Sequence, residues 1–241
     1  MHESPLPDTD WADNMNCSLS IIIPVLNEAE HITTILAALA PLRARGAEVI
    51  VVDGGSTDHT GQLASPLADR VVQSTRGRAQ QMNCGARQAG GDVLLFLHAD
   101  TLLPDNADHL ILTNLYPACD FHWGRFDVVI SGQPVMLGPV GWMINWRSRT
   151  FGIATGDQAI FIRHELFRRL GGFPQQALME DVELCKRLNR HSAPLCLREK
   201  VTTSGRRWEK RGVWPTILLM WRLRFLYWIG VSSDQLAREY R

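Results

Sequence analysis

Polar side chains that can bind ligands or transfer protons follow three separate apolar segments of the sequence. Asn27 and Glu28 come shortly after the first segment, Asp53 ends the second, and His98 and Asp100 follow the third. A carboxylate at such a point can accept hydrogen bonds from a ribose hydroxyl or a base N–H. Imidazole nitrogen and carboxylate oxygen are both ligands for divalent ions such as Mg²⁺ or Mn²⁺. These residues therefore predict a site for a polar ligand and a metal ion.

Structural roles account for some of the same residues. Asp53 begins the run D-G-G-S-T-D, whose composition suits equally well a turn that caps the next helix. A histidine at the end of a buried strand, such as His98 taken alone, is more often a hydrogen-bonded core residue than a ligand. Both interpretations stay open for these two residues.

The second half of the chain adds an acidic pair and a basic segment. Glu180 and Asp181 open a predicted helix, where carboxylates complement the helix dipole. One of the two could also act as the general base for an alcohol. The predicted loop S-G-R-R-W-E-K-R-G contains Arg206, Arg207 and Trp208, which suit a bound diphosphate and a cover over it. A solvated basic loop or a patch at a membrane surface would have the same composition.

Alternating strand and helix patterns must position these side chains. Short β-branched apolar runs alternate with helical spacing in the first half of the chain, which predicts an α/β fold with a mostly parallel sheet flanked by helices. Ligands of such sheets bind beyond the carboxyl ends of the strands. Strands are predicted at 19–25 (stopped by Pro24), 48–53, 70–73, 93–97, 127–130, 158–162 and 195–203, helices at 28–45, after the turn to 68, and at 79–89, 163–170, 180–190 and 214–229, and a loop at 131–141.

Composition excludes several classes of protein. The 25 basic and 25 acidic residues leave no net charge, which argues against attraction to nucleic acid through overall charge. Apolar residues at 45% and charged residues at 21% exclude a wholly disordered chain. The five cysteines are scattered and form no close pair, as expected in a reducing compartment. The acidic N-terminus does not resemble a signal peptide, so we expect a cytoplasmic location.

Three parts are predicted along the chain: a flexible arm at 1–17, an α/β domain at 18–212, and a helical extension at 213–241. The extension is strongly apolar, but Arg222 and Arg224 interrupt it. It suits a helix that docks on the domain or on a second copy of the chain. It suits also a helix that lies on a membrane surface, on the inner face if the protein is cytoplasmic.

The motifs, taken in order, are similar to those of a known family. The segments S-I-I-I-P-V-L-N-E, V-V-D-G-G-S-T-D, L-F-L-H-A-D-T, G-D-Q-A-I-F, G-G-F, M-E-D-V-E-L and R-R-W resemble a family 2 glycosyltransferase with the GT-A fold, a Rossmann-like arrangement. The segment G-R-A-Q-Q-M-N and the tail R-R-W-E-K-R-G resemble the branch associated with radical-SAM and selenodomain proteins. The resemblance covers residues 19–240.

The resemblance implies an inverting transfer from a nucleotide-diphosphate sugar to an acceptor hydroxyl, which a lipid could carry, with a divalent metal (Mg²⁺ or Mn²⁺). Asp181 matches the general base, with Glu180 beside it. Asp100 matches the metal-binding carboxylate of the Asp-x-Asp motif, and His98 stands where many relatives have the first Asp. The nucleotide sugar would be bound by Pro24, Asn27, Glu28, Asp53, Arg78, His98, Ala99, Asp157, Arg206, Arg207 and Trp208.

Other α/β functions have different sequence requirements. A nicotinamide dehydrogenase needs glycines between the first strand and helix, and residues 24–28 contain none. A sugar nucleotidyltransferase should carry a glycine-rich basic loop there, which is also missing. A catalytically silent nucleotide-sugar binding protein would keep Asp53 and could dispense with Asp181, so this alternative stays open.

Overall fold

One sheet of eight strands organises the computed structural model, which describes residues 17–116 and 120–240. Cys119 and the predicted arm, apart from Cys17, lie outside the described residues. The strands are β1 (Leu19–Val25), β2 (Glu48–Asp53), β3 (Arg70–Gln73), β4 (Val93–Phe96), β5 (Thr101–Leu102), β6 (Trp123–Ser131), β7 (Ile160–Arg163) and β8 (Leu195–Ser204). Their order across the sheet is β3-β2-β1-β4-β7-β6-β8-β5.

Helices cover the sheet, and those of the described residues are α1 (Ile32–Ala38), α2 (Ala40–Ala44), α3 (Thr60–Ala64), α4 (Arg78–Gln88), α5 (Ala107–Leu115), α6 (Leu137–Phe151), α7 (His164–Arg169), α8 (Glu180–Leu188), α9 (Arg206–Arg211), α10 (Val213–Trp228) and α11 (Ser233–Tyr240). One turn of 3₁₀ helix spans Gly156–Gln158.

Parallel pairing dominates the half of the sheet that contains β1. Strands β3, β2, β1 and β4 are parallel, as are β6 and β8. Strand β7 joins these two groups by antiparallel pairing with β4 and β6, and β5 pairs antiparallel with β8. The predicted α/β fold with a mostly parallel sheet flanked by helices is confirmed.

Both faces of β1 are buried, which explains its unbroken apolar sequence. Ile21 and Ile23 pack in one core cluster and Ile22 packs in another, because successive side chains of a strand point to opposite faces. All three are fully buried. Helices on both sides of the sheet are therefore required by the sequence of this strand.

Two prolines lie where the bounds of strands and helices differ from the prediction. Pro24 does not stop β1, because Val25 continues the strand and pairs with Asp53. The helix predicted at 28–45 is two helices, α1 and α2, that meet at Leu39. Pro41 lies in the first turn of α2, where a backbone N–H would have no partner within the helix anyway. Inside one continuous helix, the same proline would remove a backbone hydrogen bond.

The predicted loop at 131–141 is wrong in its second half, since the fifteen-residue helix α6 begins at Leu137. The glycines and Pro139 of this segment are typical of a loop, so the sequence did not predict the helix. Pro139 is in the first turn, which tolerates proline. Gly141 faces β6, and a Cβ there would lie 3.3 Å from the carbonyl oxygen of Val128. The glycine thus lets α6 approach the sheet closely.

The C-terminal part contains three helices. The basic segment predicted as a loop is helical as α9, and the predicted helical extension contains a second helix, α11, that was not predicted separately. Helix α10 agrees with the prediction, and its Leu223 is buried with Met179 before α8 and Leu236 of α11. None of the described helices combines the length and the apolar character needed to cross a membrane.

Candidate active site

A cavity of about 550 Å³ lies where β1, β4 and β8 end. Helices α6, α8, α9 and α10 supply the rest of its wall. The predicted site residues that line it are Glu28, Arg78, His98, Asp100, Asp157, Glu180, Asp181, Arg206, Arg207 and Trp208. Ten of the fourteen predicted binding, metal and catalytic residues, from both halves of the chain, are thus brought into one site.

The acidic pair stands at the start of α8. Met179 precedes the helix with a positive φ of 65°, which turns the chain into the cavity. Oδ1 of Asp181 accepts a hydrogen bond from the N–H of Val182 (2.7 Å), and Oδ2 accepts one from the N–H of Gly156 (3.1 Å). The carboxylate is therefore held in one orientation by the backbone of two elements.

Both carboxyl groups have perturbed acidity. Burial, together with the negative charge of Asp181, raises the pKa of Glu180 to about 7. Burial also raises the pKa of Asp181, against the two backbone N–H groups that stabilise its charged form. A general base whose pKa approaches the working pH is well suited to accept a proton.

His98 and Asp100 follow β4, and both line the cavity. Burial, with the positive charges of Arg78 and Arg207, lowers the pKa of His98 well below its usual value, so the imidazole is neutral. Gly156 packs against this ring, and a Cβ there would overlap the imidazole. Thr101 donates a hydrogen bond to Oδ1 of Asp100 at 3.4 Å.

The basic segment lines the cavity from α9 rather than from a loop. Arg206 forms an ion pair with Glu28 (3.6 Å) and a hydrogen bond with His31. The guanidinium of Arg207 lies over the ring of Tyr240, 4.4 Å from its centre. Burial and the positive charge of Arg78 lower the pKa of Arg207. The α9 arginines thus face the residues that follow β1 and β4.

Pro24, Asn27, Asp53 and Ala99 do not line this cavity. Oδ1 of Asp53 accepts hydrogen bonds from the N–H groups of Gly55 (3.1 Å) and Ser56 (2.8 Å) and from the hydroxyl of Ser56 (2.7 Å). This is the turn-capping arrangement that the sequence allowed.

The loops after β1 and β2 are tied to each other. The side-chain oxygen of Asn27 accepts a hydrogen bond from the N–H of Thr57 (2.8 Å), and the backbone N–H of Asn27 donates to the hydroxyl of Ser56 (2.9 Å). Asn27 has a positive φ of 54°. Gln81, buried in α4, donates from Nε2 to the carbonyls of Val25 (2.8 Å) and Val52 (2.9 Å). These contacts fix the two strand ends relative to each other.

Arg147 is a cavity residue that the sequence did not reveal. It belongs to α6, and the prediction of a loop before this helix left no helical face from which to place it. Lys210, Arg211 and Arg224 also line the cavity. Their basic character was visible in the sequence, but their position at the site was not.

Solved enzymes of the GT-A class have the same fold. The mannosyltransferase PcManGT from Pyrobaculum calidifontis, solved with GDP-Man and Mn²⁺, matches with a TM-score of 0.62 and 24% identity, over 88% of this chain and 61% of that one. TarS from Staphylococcus aureus, solved with UDP, matches with a TM-score of 0.61 and 21% identity, over 78% of this chain and 60% of that one. The predicted GT-A fold is confirmed.

The family follows from a longer match. The model of glycosyl transferase family 2 matches residues 20–164, more than half of the chain. The probable glycosyltransferase YdaM of Bacillus subtilis is 26% identical over 203 residues, which are 74% of this chain and 48% of that protein. The chain thus spans about half the length of this curated relative. It belongs to glycosyl transferase family 2, as predicted; the narrower branch stays a prediction.

Proposed function

We propose that this chain is an inverting, metal-dependent glycosyltransferase that moves a sugar from a nucleotide-diphosphate sugar to an acceptor hydroxyl. One observation carries the proposal: Asp181, with its carboxylate oriented by Gly156 and Val182, lines the same cavity as Asp100 and the arginines of α9. A base, a metal-binding carboxylate and cations for a leaving diphosphate are the groups that this reaction requires.

The reaction proposed is a single in-line displacement. Asp181 takes the proton of the acceptor hydroxyl while that oxygen forms a bond to the anomeric carbon. The bond between this carbon and the diphosphate oxygen breaks, and its electron pair leaves with the nucleoside diphosphate. Arg206 and Arg207 stabilise the charge that develops on the diphosphate. The displacement inverts the anomeric centre and needs no side-chain nucleophile.

The residues present fit a divalent ion that shares its ligands with the substrate. No group of three or more potential protein ligands occurs in the parts of the chain that the structure describes. Asp100, with the neutral imidazole of His98 as the second candidate ligand, matches an ion that takes its other ligands from phosphates and water. When bound, such an ion adds positive charge at the diphosphate.

The donor is proposed to be a nucleoside-diphosphate sugar because the solved neighbours were studied with GDP-Man and UDP. The proposed nucleotide-binding set includes Arg78 and Glu28, which line the cavity, and four residues that do not line it, Asp53, Asn27, Pro24 and Ala99. A thermal-shift screen of nucleoside diphosphates and their sugars with Mn²⁺ tests this, because a ligand that binds the folded state raises the melting temperature. If none raises it, the donor assignment fails.

Membrane contact is proposed for one surface, formed by the outer sides of α6, α9 and α10 and called here the tryptophan surface. These helices contain six of the eight tryptophans of the chain. Trp142, Trp146, Trp221 and Trp228 are 50–79% exposed, and Phe225 beside them is 58% exposed. Tryptophan is the side chain most typical of a membrane–water interface.

Charge favours an anionic bilayer as the partner of the tryptophan surface. Lys210 and Arg211 of α9 and Arg222 of α10 are exposed, and Glu209 is the one acidic residue of the three helices. Basic residues beside exposed aromatic rings bind anionic lipid headgroups and the acyl boundary together. We therefore propose a peripheral location on the inner face of the membrane. The four described cysteines, all free thiols, support the cytoplasmic side.

A further inference from the structure

Two of the three guanidinium nitrogens of Arg147 are buried without a hydrogen-bond partner in the part of the chain that the structure describes. Its Nε and Nη2 atoms are buried, and neither makes a hydrogen bond within the described residues. The residue lines the cavity. A buried donor without a partner costs free energy, and a charged one costs more. A feature of this kind inside a binding cavity is explained if a ligand supplies the missing acceptor.

Arg147 shares the cavity with Asp157 and with the proposed general base, Asp181. The groups that act most strongly on Arg147 are Asp157 and Asp181, followed by Cys185 and Arg125. Arg206 and Arg207, which are assigned to the diphosphate, belong to α9, where Arg206 pairs with Glu28 and Arg207 acts on His98. Arg147 belongs to α6 and is a further cation of the cavity that the diphosphate assignment does not use.

Asp181 accepts no hydrogen bond from Nε or Nη2 of Arg147. Each oxygen of Asp181 already accepts a backbone hydrogen bond, one from Gly156 and one from Val182. Nε and Nη2 of Arg147 are thus both available to donate hydrogen bonds to another acceptor. Carboxylates and phosphates match such a guanidinium group with two parallel hydrogen bonds.

We propose that Arg147 binds an anionic group, a carboxylate or a phosphate, of the acceptor, next to the hydroxyl that Asp181 deprotonates. This inference rests on the proposed function and adds the chemical class of the acceptor to it. A cation between Asp181 and the acceptor anion offsets their repulsion, so the hydroxyl can approach the base. Arg147 is in this sense the acceptor-binding residue of the cavity.

The test compares Arg147→Met with Arg149→Met. Arg149 belongs to the same helix but is exposed and pairs with Asp127 at 2.7 Å, so its replacement removes the same charge outside the cavity. The probes are glycerol 3-phosphate and glycerate, which carry a hydroxyl beside an anion, and glycerol, which carries no anion. Binding is measured by calorimetry on the full chain with the nucleoside diphosphate already bound.

We expect the anionic probes to bind the wild type and to lose about tenfold to a hundredfold in affinity in Arg147→Met, as for a lost charged hydrogen-bond pair. Arg147→Lys should recover part of the loss, and Arg149→Met should bind like the wild type. Glycerol should be insensitive to all three changes. Equal binding of the anionic probes by wild type and Arg147→Met, or no binding by the wild type, overturns the proposal.

Two further readouts separate this inference from other roles of Arg147. A purely structural role predicts a lower melting temperature for Arg147→Met, whereas removing unpaired buried donors should leave it equal or higher. A role at the donor predicts weaker nucleoside diphosphate binding in that variant, which would overturn the acceptor assignment. Failure of the proposed function is a different result, namely that the wild type binds no nucleoside diphosphate or nucleotide sugar.

A second experiment identifies the source of the anion. Release of nucleoside diphosphate from the donor is followed with glycerol 3-phosphate, with phosphatidylglycerol vesicles and with phosphatidylcholine vesicles. Stimulation by phosphatidylglycerol alone identifies a lipid headgroup as the anion, and stimulation by glycerol 3-phosphate identifies a soluble acceptor. Either must be lost in Arg147→Met and kept in Arg149→Met; a stimulation that survives in Arg147→Met contradicts the inference.

Discussion

The backbone N–H of Gly156 donates a hydrogen bond of 3.1 Å to Oδ2 of Asp181. The same glycine packs against the ring of His98 so closely that no Cβ would fit. The turn at 156–158 therefore couples the orientation of the proposed base to the histidine beside Asp100. Residues from the ends of β4, β7 and α8 thus act as one unit, although they are far apart in the chain.

Asp181→Asn should lower the release of nucleoside diphosphate from the donor by about two to four orders of magnitude, because an amide cannot accept the proton. Nucleotide affinity should stay close to that of the wild type, since Asp181 is not assigned to the nucleotide and asparagine keeps an oxygen for one of the two backbone N–H groups. A coupled release assay and calorimetry measure the two quantities. Asp234→Asn, the same change in the first turn of α11, is the control. Wild-type turnover in Asp181→Asn would remove the base assignment.

Glu180→Gln should make the protein more resistant to heat at pH 8 but have less effect at pH 5. The pKa of Glu180 is raised from 4.5 to about 7 in the folded chain, mainly by burial. The folded state then binds more protons than the unfolded state between these values, so this residue lowers stability as the pH rises through that window. Glutamine does not titrate. Melting curves at pH 5, 6, 7 and 8 measure the difference, and one that does not grow with pH contradicts the shift.

Gly156→Ala should destabilise the protein by about 1–3 kcal/mol, because the added methyl group overlaps the His98 ring and the surroundings must shift. Donor turnover should fall as well, since the N–H that orients Asp181 moves with the chain. Gly138→Ala is the control, because nothing lies within 4 Å of its Cβ position in α6. That change should stabilise the helix by about 0.5–1 kcal/mol. Similar melting temperatures for both variants would contradict this prediction, because they would show that the residues around Gly156 shift at little cost in free energy.

Asp100→Ala should abolish the dependence of nucleotide affinity on metal, because it removes the carboxylate proposed to hold the ion. Calorimetric titration of the nucleoside diphosphate with Mn²⁺ and with a chelator measures this. Asp105→Ala is the control, since Asp105 is exposed and only its backbone carbonyl contacts Arg45 through a hydrogen bond. If Asp100→Ala keeps the full difference between the two titrations, the metal is held elsewhere.

Replacing Trp142 and Trp228 by serine should weaken binding to phosphatidylglycerol vesicles by at least about tenfold, because two large aromatic groups are removed from the bilayer interface. Binding of the wild type should also decrease with salt and be weaker on phosphatidylcholine. Leu63→Ser is the control, an exposed apolar residue of α3 outside the tryptophan surface.

Sedimentation velocity on the same proteins tests the alternative partner, a second copy of the chain. A wild-type dimer that dissociates when Trp142 and Trp228 are replaced would assign the tryptophan surface to self-association. Unchanged vesicle binding by that variant would likewise contradict the membrane proposal.

Local patterns were enough to predict the fold of the first half of the chain. The β-branched runs that become β1 and β2 carry their own signal, since a strand buried on both faces must be continuously apolar. Gly46 and the pair Gly90 and Gly91 correctly marked the ends of helical segments. The family resemblance added further predicted site residues, and most of the predicted set lines one cavity.

Long-range packing decided the rest. Helix α6 exists because Gly141 lets it lie against β6 and because the first turn accepts Pro139, and neither contact has a local signature. The carboxylate of Asp53 accepts hydrogen bonds within the turn that follows it. The sequence alone fits this capping role and a ligand-binding role equally well.

By itself the sequence determined the order of the elements, the apolar core and the types of residue available for chemistry, because these depend on spacing along the chain. Only the tertiary structure decided which charges meet. Arg147 lines the same cavity as Asp157 and Asp181 because α6 packs against β6. Such distances depend on how helices pack on a sheet, and that packing is a property of the whole core rather than of any one segment.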